Sequence, residues 1–553
     1  MPASTNLETN LSIPEQQRFA FRRDFGWLKA LFAIGCFAYV LARVLKLPLG
    51  GDEWEVLKDV REHGFADWVL FLDWNSQNHL LNLLLAKLGY LISPRHELQM
   101  IRIPSLVALV LYEWAAWRIT RRLRSRIWSV AAFAALLTNA FVLDYFGLSR
   151  GYGLALAFTL WSLNALLDLF QKPIRSTGAH WLAHLSACAG FLAAISNLTY
   201  ISLYATVLVL IILLWCKRWF SDPATRFRTL GKDFIVDNLF LVAYSGILAG
   251  ICLPRLVFLQ RTRPWGGNAV MGGNTGFVAD CVTALVESVF YDTKLKGSLS
   301  HTVAWAVVIM ILVMGVIAIV QRYAIARRPQ QSSASICMFL FLIVAALVFE
   351  GLHWLLGAKY PIEGRIVLYL VLGFVLQIAF FVDEFLRGSL RIPFFGILVA
   401  WSILGIANMN LSHQHGGEVA SDIPNLLRDL KNIHEKTGKP VVLSMGDNWK
   451  WMAWYYGEMV VGVKESDRLR EYGCVAILDW LTIYETYCGR AHDGHRDFAA
   501  TTTHFFIGPE DEPLDWIPVG YNLGGGLTLA AQPTPTRVVT QYPLSKWRLY
   551  ARE

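Results

Sequence analysis

The sequence predicts an all-α polytopic membrane protein of about eleven transmembrane helices, followed by a small extracytoplasmic α/β domain. Three observations predict it. Of the 553 residues, 55% are hydrophobic and 17% charged, with a mean hydropathy of +0.41, whereas soluble proteins carry roughly 25% charged residues. Apolar runs long enough to cross a bilayer recur between residues 27 and 409. Residues 411–553 lose those runs and show short helix and strand patterns instead.

The 50 Lys and Arg exceed the 42 Asp and Glu by eight. This excess is dispersed in short loops between apolar runs, where it sets membrane topology. It does not form the clustered basic face that nucleic-acid binding requires, so no nucleic-acid partner is expected.

Residues 1–24 are polar, with Arg18, Arg22 and Arg23 ahead of an apolar run that begins at Trp27. The run is too long for a signal peptide and lacks a small-x-small cleavage site. It reads as an uncleaved anchor with its N-terminus in the cytoplasm. Spans are expected at 27–46, 102–119, 127–146, 151–170, 181–197, 199–216, 233–256, 302–321, 335–355, 365–383 and 392–409.

The apolar run 79–93 covers only about 22 Å as a helix, less than the hydrocarbon thickness. It is expected to lie along the outer interface, Leu-rich on one side. If it crossed, every later basic loop would fall on the wrong side. With eleven spans, the basic segments 118–126, 172–175, 217–232, 322–328 and 387–391 face the cytoplasm. The outside receives the first loop 47–101, the turns at 144–150, near Asn197 and at 357–364, the loop 257–301, and the chain after 410.

Three parts follow: a cytoplasmic segment 1–24, a transmembrane domain 25–410 and an extracytoplasmic α/β domain 411–553. In the last, 425–436 is helical in period, Thr437-Gly438 breaks it, and 440–443, 475–478 and 504–507 read as strands. Five of the eight cysteines lie in or beside apolar runs, where a thiol acts as a small hydrophobe. Cys281 is in a loop. Cys474 and Cys488 share the polar C-terminal region, where a disulfide is open to them outside the cytoplasm. None has zinc-site spacing, and His413 with His415 read as polar residues, so no metal is expected.

The chemistry is expected on the outer side. Asp52, Glu53 and Trp54 stand directly after the first span. Asp52 suits a helix N-cap with Glu53 and Glu55 in the first turn, but other polar groups converge on the same face. The turn after the third span carries Asp144, Arg150 and Tyr152. Asn75-Ser76-Gln77-Asn78-His79 precedes the interfacial helix. Arg261 and Arg263 stand beside a Gly-rich stretch, and Lys359-Tyr360-Pro361-Ile362-Glu363-Gly364-Arg365 forms the last turn.

Cations on the outer side are not orientation signals, so they point to an anionic ligand such as a lipid-linked phosphate. Singly, Arg365 also suits snorkelling from a span end, and Arg261 with Arg263 a solvated loop. Trp54, Trp68 and Trp74 suit either sugar stacking or interfacial anchoring.

The order of these features resembles the integral-membrane glycosyltransferases of the GT-C superfamily. It looks most like the branch of protein O-mannosyltransferases and the lipid A aminoarabinose transferase (glycosyltransferase family 39-like). The acid pair of that branch is matched by Asp52-Glu53. Its His-Pro-Pro-Leu helix start stands here as His79-Leu80-Leu81, without the prolines, and its Arg-Gly-Tyr turn as Arg150-Gly151-Tyr152.

The resemblance implies a hexosyl or pentosyl transfer from a polyprenyl-phosphate-linked sugar to a glycan, lipid or protein acceptor, in a bacterial inner membrane and on its periplasmic side. It implies a single displacement with inversion, without cofactor or metal. In this reading Asp52 is the base. Glu53 orients or contacts the acceptor or pairs with a cation, and Asp144 does either or pairs with Arg150. Arg150, His79 and Arg365 hold the donor phosphate, with Arg261 and Arg263 behind them. Tyr152 donates a hydrogen bond, and Tyr360 and Trp54 line the substrate site. The rival reading is a transporter or flippase for an anionic lipid or solute, for which Glu113 is the clearest mid-span charge; no half-repeat supports it.

Overall fold

The computed structural model describes residues 25–69, 79–171, 177–221, 238–262, 275–290, 297–324, 333–356, 360–361, 363–413, 418–438, 441–445, 475–478, 481–485, 503–508, 536–541 and 548–552. The chain divides into two compact units. One comprises Met1–Leu41, His79–Leu85 and Arg102–Met409, the other Ala42–Asn78, Ala86–Ile101 and Asn410–Glu553.

The helices in chain order are α1 (Gly26–Lys46), α2 (Gly51–Glu62), α3 (Phe65–Val69), α4 (Leu80–Ile92), α5 (Glu97–Thr120), α6 (Arg126–Leu137), α7 (Ala140–Asp144) and α8 (Tyr152–Gln171). They continue with α9 (Thr177–Ser196), α10 (Ile201–Ser221), α11 (Leu239–Thr262), α12 (Thr283–Val289), α13 (Ser298–Ala324), α14 (Ala334–Leu356), α15 (Tyr369–Phe385), α16 (Ile392–Ala407) and α17 (Glu418–Thr437). Among the described residues, eight helices are long and apolar enough to cross a membrane. Their lipid-facing sides are visible as exposed apolar side chains, among them Trp114, Trp305 and Leu347.

These eight match eight of the eleven expected spans. The other three are present as shorter or interrupted helices. The expected span 127–146 is split into α6 and α7 because Asn139 starts a fresh helix: its side-chain oxygen accepts the Val142 N–H at 3.0 Å. Thr138, just before it, turns its hydroxyl back onto the Ala134 carbonyl at 2.8 Å. The span 365–383 begins as a 3-10 turn (Gly364–Val367) and continues as α15. In α11 the apolar part is Leu239–Ile251. Helix α4 has 13 residues, or about 20 Å, less than the hydrocarbon thickness.

In the first unit the bundle has two polar ends. At one, Lys29 of α1 donates to Thr120 and Ser129 at 2.8 and 2.6 Å, and Arg122 pairs with Asp168 at 2.7 Å. Asp383 and Glu384, adjacent at the end of α15, cap two other helices. Asp383 accepts the N–H groups of Arg124 and Ser125 ahead of α6, at 2.7 and 3.1 Å. Glu384 accepts the Ala334 N–H at the start of α14 at 2.8 Å. The segments that charge bias assigns to one side of the membrane thus meet at one end. The opposite end holds the candidate site.

The second unit gathers much of the first outer loop with the chain after residue 410. Arg43 is fully buried and donates to the carbonyls of Asn410 and His413, at 2.5 and 3.1 Å. Arg61 forks onto Glu97, and Lys87 donates to the carbonyls of Val60 and His63 near the end of α2, a favourable place for a cation. Six strands, β1 (Val441–Met445), β2 (Val475–Leu478), β3 (Leu481–Glu485), β4 (Thr503–Gly508), β5 (Thr536–Gln541) and β6 (Arg548–Arg552), form one sheet ordered β2-β3-β1-β4-β6-β5. Strand β1 is parallel to both neighbours, and the remaining pairs are antiparallel. Helix α17 buries Ile423, Leu426, Leu427 and Leu430, a spacing that lines one helical face.

Candidate active site

The site is built on the turn that joins α7 to α8. Three successive carbonyls of this turn are each taken by a side chain from a different part of the unit. Ser105 of α5 donates to Leu148 at 2.7 Å, Asn82 of α4 to Ser149 at 3.3 Å, and Asn197, after α9, to Arg150 at 3.3 Å. Buried carbonyls need such partners, and here the partners also lock the turn. Gly151 follows with φ of 72°, a conformation that costs a residue with a Cβ. A Cβ there would overlap the Ser196 carbonyl oxygen and approach the His79 Cβ to 3.3 Å. Glycine is therefore required twice over, by dihedral and by space.

Through Asn197 this turn is tied to the short helix of Tyr200, whose ring lies 5.5 Å from that of Tyr369, two residues beyond the 3-10 turn Gly364–Val367 that carries Arg365. Desolvation by the surrounding protein, and after it the like charge of Arg365, push Arg150 down to about 9, although part of its surface remains open. Arg365 is ion-paired with Glu363. Gly364 between them lies flat on α12, since a Cβ would come 2.6 Å from the Ala284 carbonyl oxygen.

Four tyrosines from three segments pack against one another, tilted or edge-on. The rings of Tyr145 and Tyr152 are 4.7 Å apart, Tyr152 and Tyr200 6.3 Å, and Tyr200 and Tyr369 5.5 Å. The Tyr369 hydroxyl meets Ser202 at 3.1 Å. The Tyr200 hydroxyl is buried with no hydrogen-bond partner among the described residues. His79 completes the group, its ring edge-on to Tyr152 at 6.2 Å and its Nε2 3.3 Å from the Asn197 amide nitrogen.

The sequence-predicted residues therefore divide. His79, Asp144, Arg150, Tyr152 and Arg365 lie in the first unit, and the contacts above bring His79, Arg150, Tyr152 and Arg365 together. Asp144 is buried at the end of α7 beside Tyr145. Tyr360 is buried and occupied elsewhere: it donates to Glu350 at 2.7 Å and stacks on His353.

Glu53 and Trp54 belong to the second unit. Glu53 is fully buried at the start of α2, where its carboxylate accepts the Gly50 N–H at 3.1 Å. Trp54 and Trp68 are buried, with no ring face open for stacking. Asp52 lies on α2 and Arg261 on α11, with side chains outside the described residues, as are Arg263, Trp74, His415, Cys474 and Cys488 altogether. Among the described residues, no three His, Cys, Asp or Glu side chains gather as a metal ion requires.

Sequence reasoning passed over Asn197, Tyr200 and Tyr369. Asn197-Leu198-Thr199 carries a local signal, an Asx cap of a short helix, and its side chain accepts the Thr199 N–H at 3.1 Å. The tyrosines carry none, since a tyrosine at a span end is more often an interfacial anchor.

No family model matches the chain, and no curated protein matches it by sequence. Comparison with solved structures finds ArnT from Cupriavidus metallidurans bound to undecaprenyl phosphate, at a TM-score of 0.44 and 13% identity, covering 96% of this chain and 98% of that one. It also finds the oligosaccharyltransferase AglB from Archaeoglobus fulgidus in complex with an inhibitory peptide and a dolichol-phosphate, at a TM-score of 0.38 and 10% identity, covering 78% of this chain and 64% of that one.

Proposed function

We propose that the chain transfers a sugar from a polyprenyl-phosphate donor to an acceptor at the outer face of the membrane, by single displacement with inversion. The observation that carries this reading is the convergence of Arg150 and Arg365. The charge of Arg365 disfavours that of Arg150, so an anion held beside both guanidinium groups would be stabilised. Eight helices long and apolar enough to cross a membrane, among the described residues, favour an anion delivered by a lipid.

A phosphate diester leaving group is already activated, so the protein has two tasks: to accept the acceptor's proton and to stabilise the departing phosphate. Asp52 takes the proton as the acceptor oxygen or nitrogen bonds to the anomeric carbon. The bond from that carbon to the phosphate oxygen breaks, its electron pair leaving on the lipid phosphate, which Arg150 and Arg365 receive, with Arg261 and Arg263 behind them. Glu53, through its Gly50 bond, holds the start of the helix that carries Asp52. Tyr152 supplies a hydroxyl donor, and Asp144 faces the acceptor or balances the cations. Tyr360 and Trp54 act as supports rather than contacts.

The test is transfer in proteoliposomes from labelled polyprenyl-phosphate sugars, comparing wild type with Asp52→Asn. We expect product from wild type and a loss of about 10²-fold to 10⁴-fold in the variant. Sustained transfer by Asp52→Asn removes Asp52 as the base. Labelled lipid that crosses the bilayer with its sugar intact favours the flippase reading.

A further inference from the structure

We infer that Asn197 is a positioning residue: one buried amide holds the Arg150 carbonyl and fixes His79 as the neutral imidazole with its proton on Nδ1.

The inference rests on which groups can only donate and which can only accept. Asn197 is fully buried. Its oxygen faces the backbone N–H of Thr199 at 3.1 Å and the Thr199 hydroxyl at 2.7 Å. Its nitrogen faces the Arg150 carbonyl at 3.3 Å. A backbone N–H only donates and a backbone carbonyl only accepts, so the two ends of the amide are assigned without ambiguity.

The remaining contact of the amide nitrogen is His79 Nε2 at 3.3 Å. An amide nitrogen has two hydrogens and no lone pair to offer, so Nε2 must be the acceptor. A neutral imidazole accepting at Nε2 carries its hydrogen at Nδ1. An imidazolium would instead bring an N–H against an N–H.

Two consequences follow. His79 enters the site as a neutral group, and the positive charge there rests on the two guanidinium groups. Asn197 itself has spent both hydrogens and both lone pairs inside the protein, so it contacts no ligand and acts through Arg150 and His79. This goes further than a helix cap, which uses only the oxygen.

The inference leans on the proposed function for the purpose of the site, but not for the tautomer. The experiment uses the full chain in nanodiscs with ¹⁵N-labelled histidine, His79 being assigned by the signals lost in His79→Gln. At neutral pH we expect a protonated-type Nδ1 and an unprotonated-type Nε2. In Asn197→Asp, whose carboxylate only accepts, the proton moves to Nε2. Donor kcat/KM in Asn197→Ala and Asn197→Asp falls by about a hundredfold, the loss that a misplaced group typically brings. A wild-type His79 protonated at Nε2, or a tautomer that Asn197→Asp leaves unchanged, overturns the inference. The wild-type spectrum decides even if a variant fails to fold. If the tautomer is as expected while wild type transfers no sugar, the proposed function fails and this inference stands.

Discussion

Arg150 shows how a single residue's role depends on the backbone beneath it. Its guanidinium can serve an anion only if the turn is rigid, and that rigidity comes from three accepted carbonyls and from Gly151. We expect Gly151→Ala to cost about 1–2 kcal/mol for the left-handed backbone alone, and more for displacing Ser196, read as a lowered unfolding temperature in detergent. An unchanged midpoint would show that the turn yields freely. Removing Asn82 tests the same lock: Asn82→Ala leaves the Ser149 carbonyl without this donor, and loss of such a bond typically costs about 0.5–1.5 kcal/mol. At this scale the sequence was legible for Arg150 and Arg365, since cations in loops expected on the outer side lack a topological reason, and for His79 as the polar start of a short apolar helix. Asn197 was not, because its meaning lies in partners 47 and 118 residues away.

Among the elements, α15 has the most to hold together. One end carries Tyr369 into the tyrosine cluster, and the other ends in Asp383 and Glu384, each capping a different helix. Asp383→Ala and Glu384→Ala should each destabilise the protein by about 1 kcal/mol. Because the two caps serve separate helices, the double should be worse than either single, without strict additivity since the residues are neighbours. Thermal unfolding of the singles and the double checks this, and a double no worse than either single would contradict it. The spanning helices were legible because a bilayer demands long apolar runs. The break between α6 and α7 was not, because Thr138 and Asn139 are only two polar residues in a run that otherwise reads as continuous. In β1, β2 and β4 the short apolar stretches marked the strands, but pairing order depends on contacts that no local pattern encodes.

For the molecule as a whole, the division of loops by charge is the boldest statement that the sequence allowed. In the first unit it is matched by two polar ends, one built around Arg122, Asp383 and Glu384, the other around Arg150 and Arg365. In a background without native cysteines, a membrane-impermeant maleimide should label Ser389→Cys from one side and Thr275→Cys from the other. Labelling of both from the same side would break the threading. The candidate site was legible in its charges and not in its tyrosines, since aromatic residues at span ends are ordinary in any membrane protein.

The central claim is that Arg150 and Arg365 together receive a lipid-borne phosphate, and equilibrium binding of a labelled polyprenyl monophosphate tests it most directly. Wild type should bind saturably, and Arg150→Gln and Arg365→Gln should each weaken binding by about tenfold or more, as loss of a charged hydrogen bond worth about 1.5–3 kcal/mol requires. Equal affinity in wild type and both variants would contradict it.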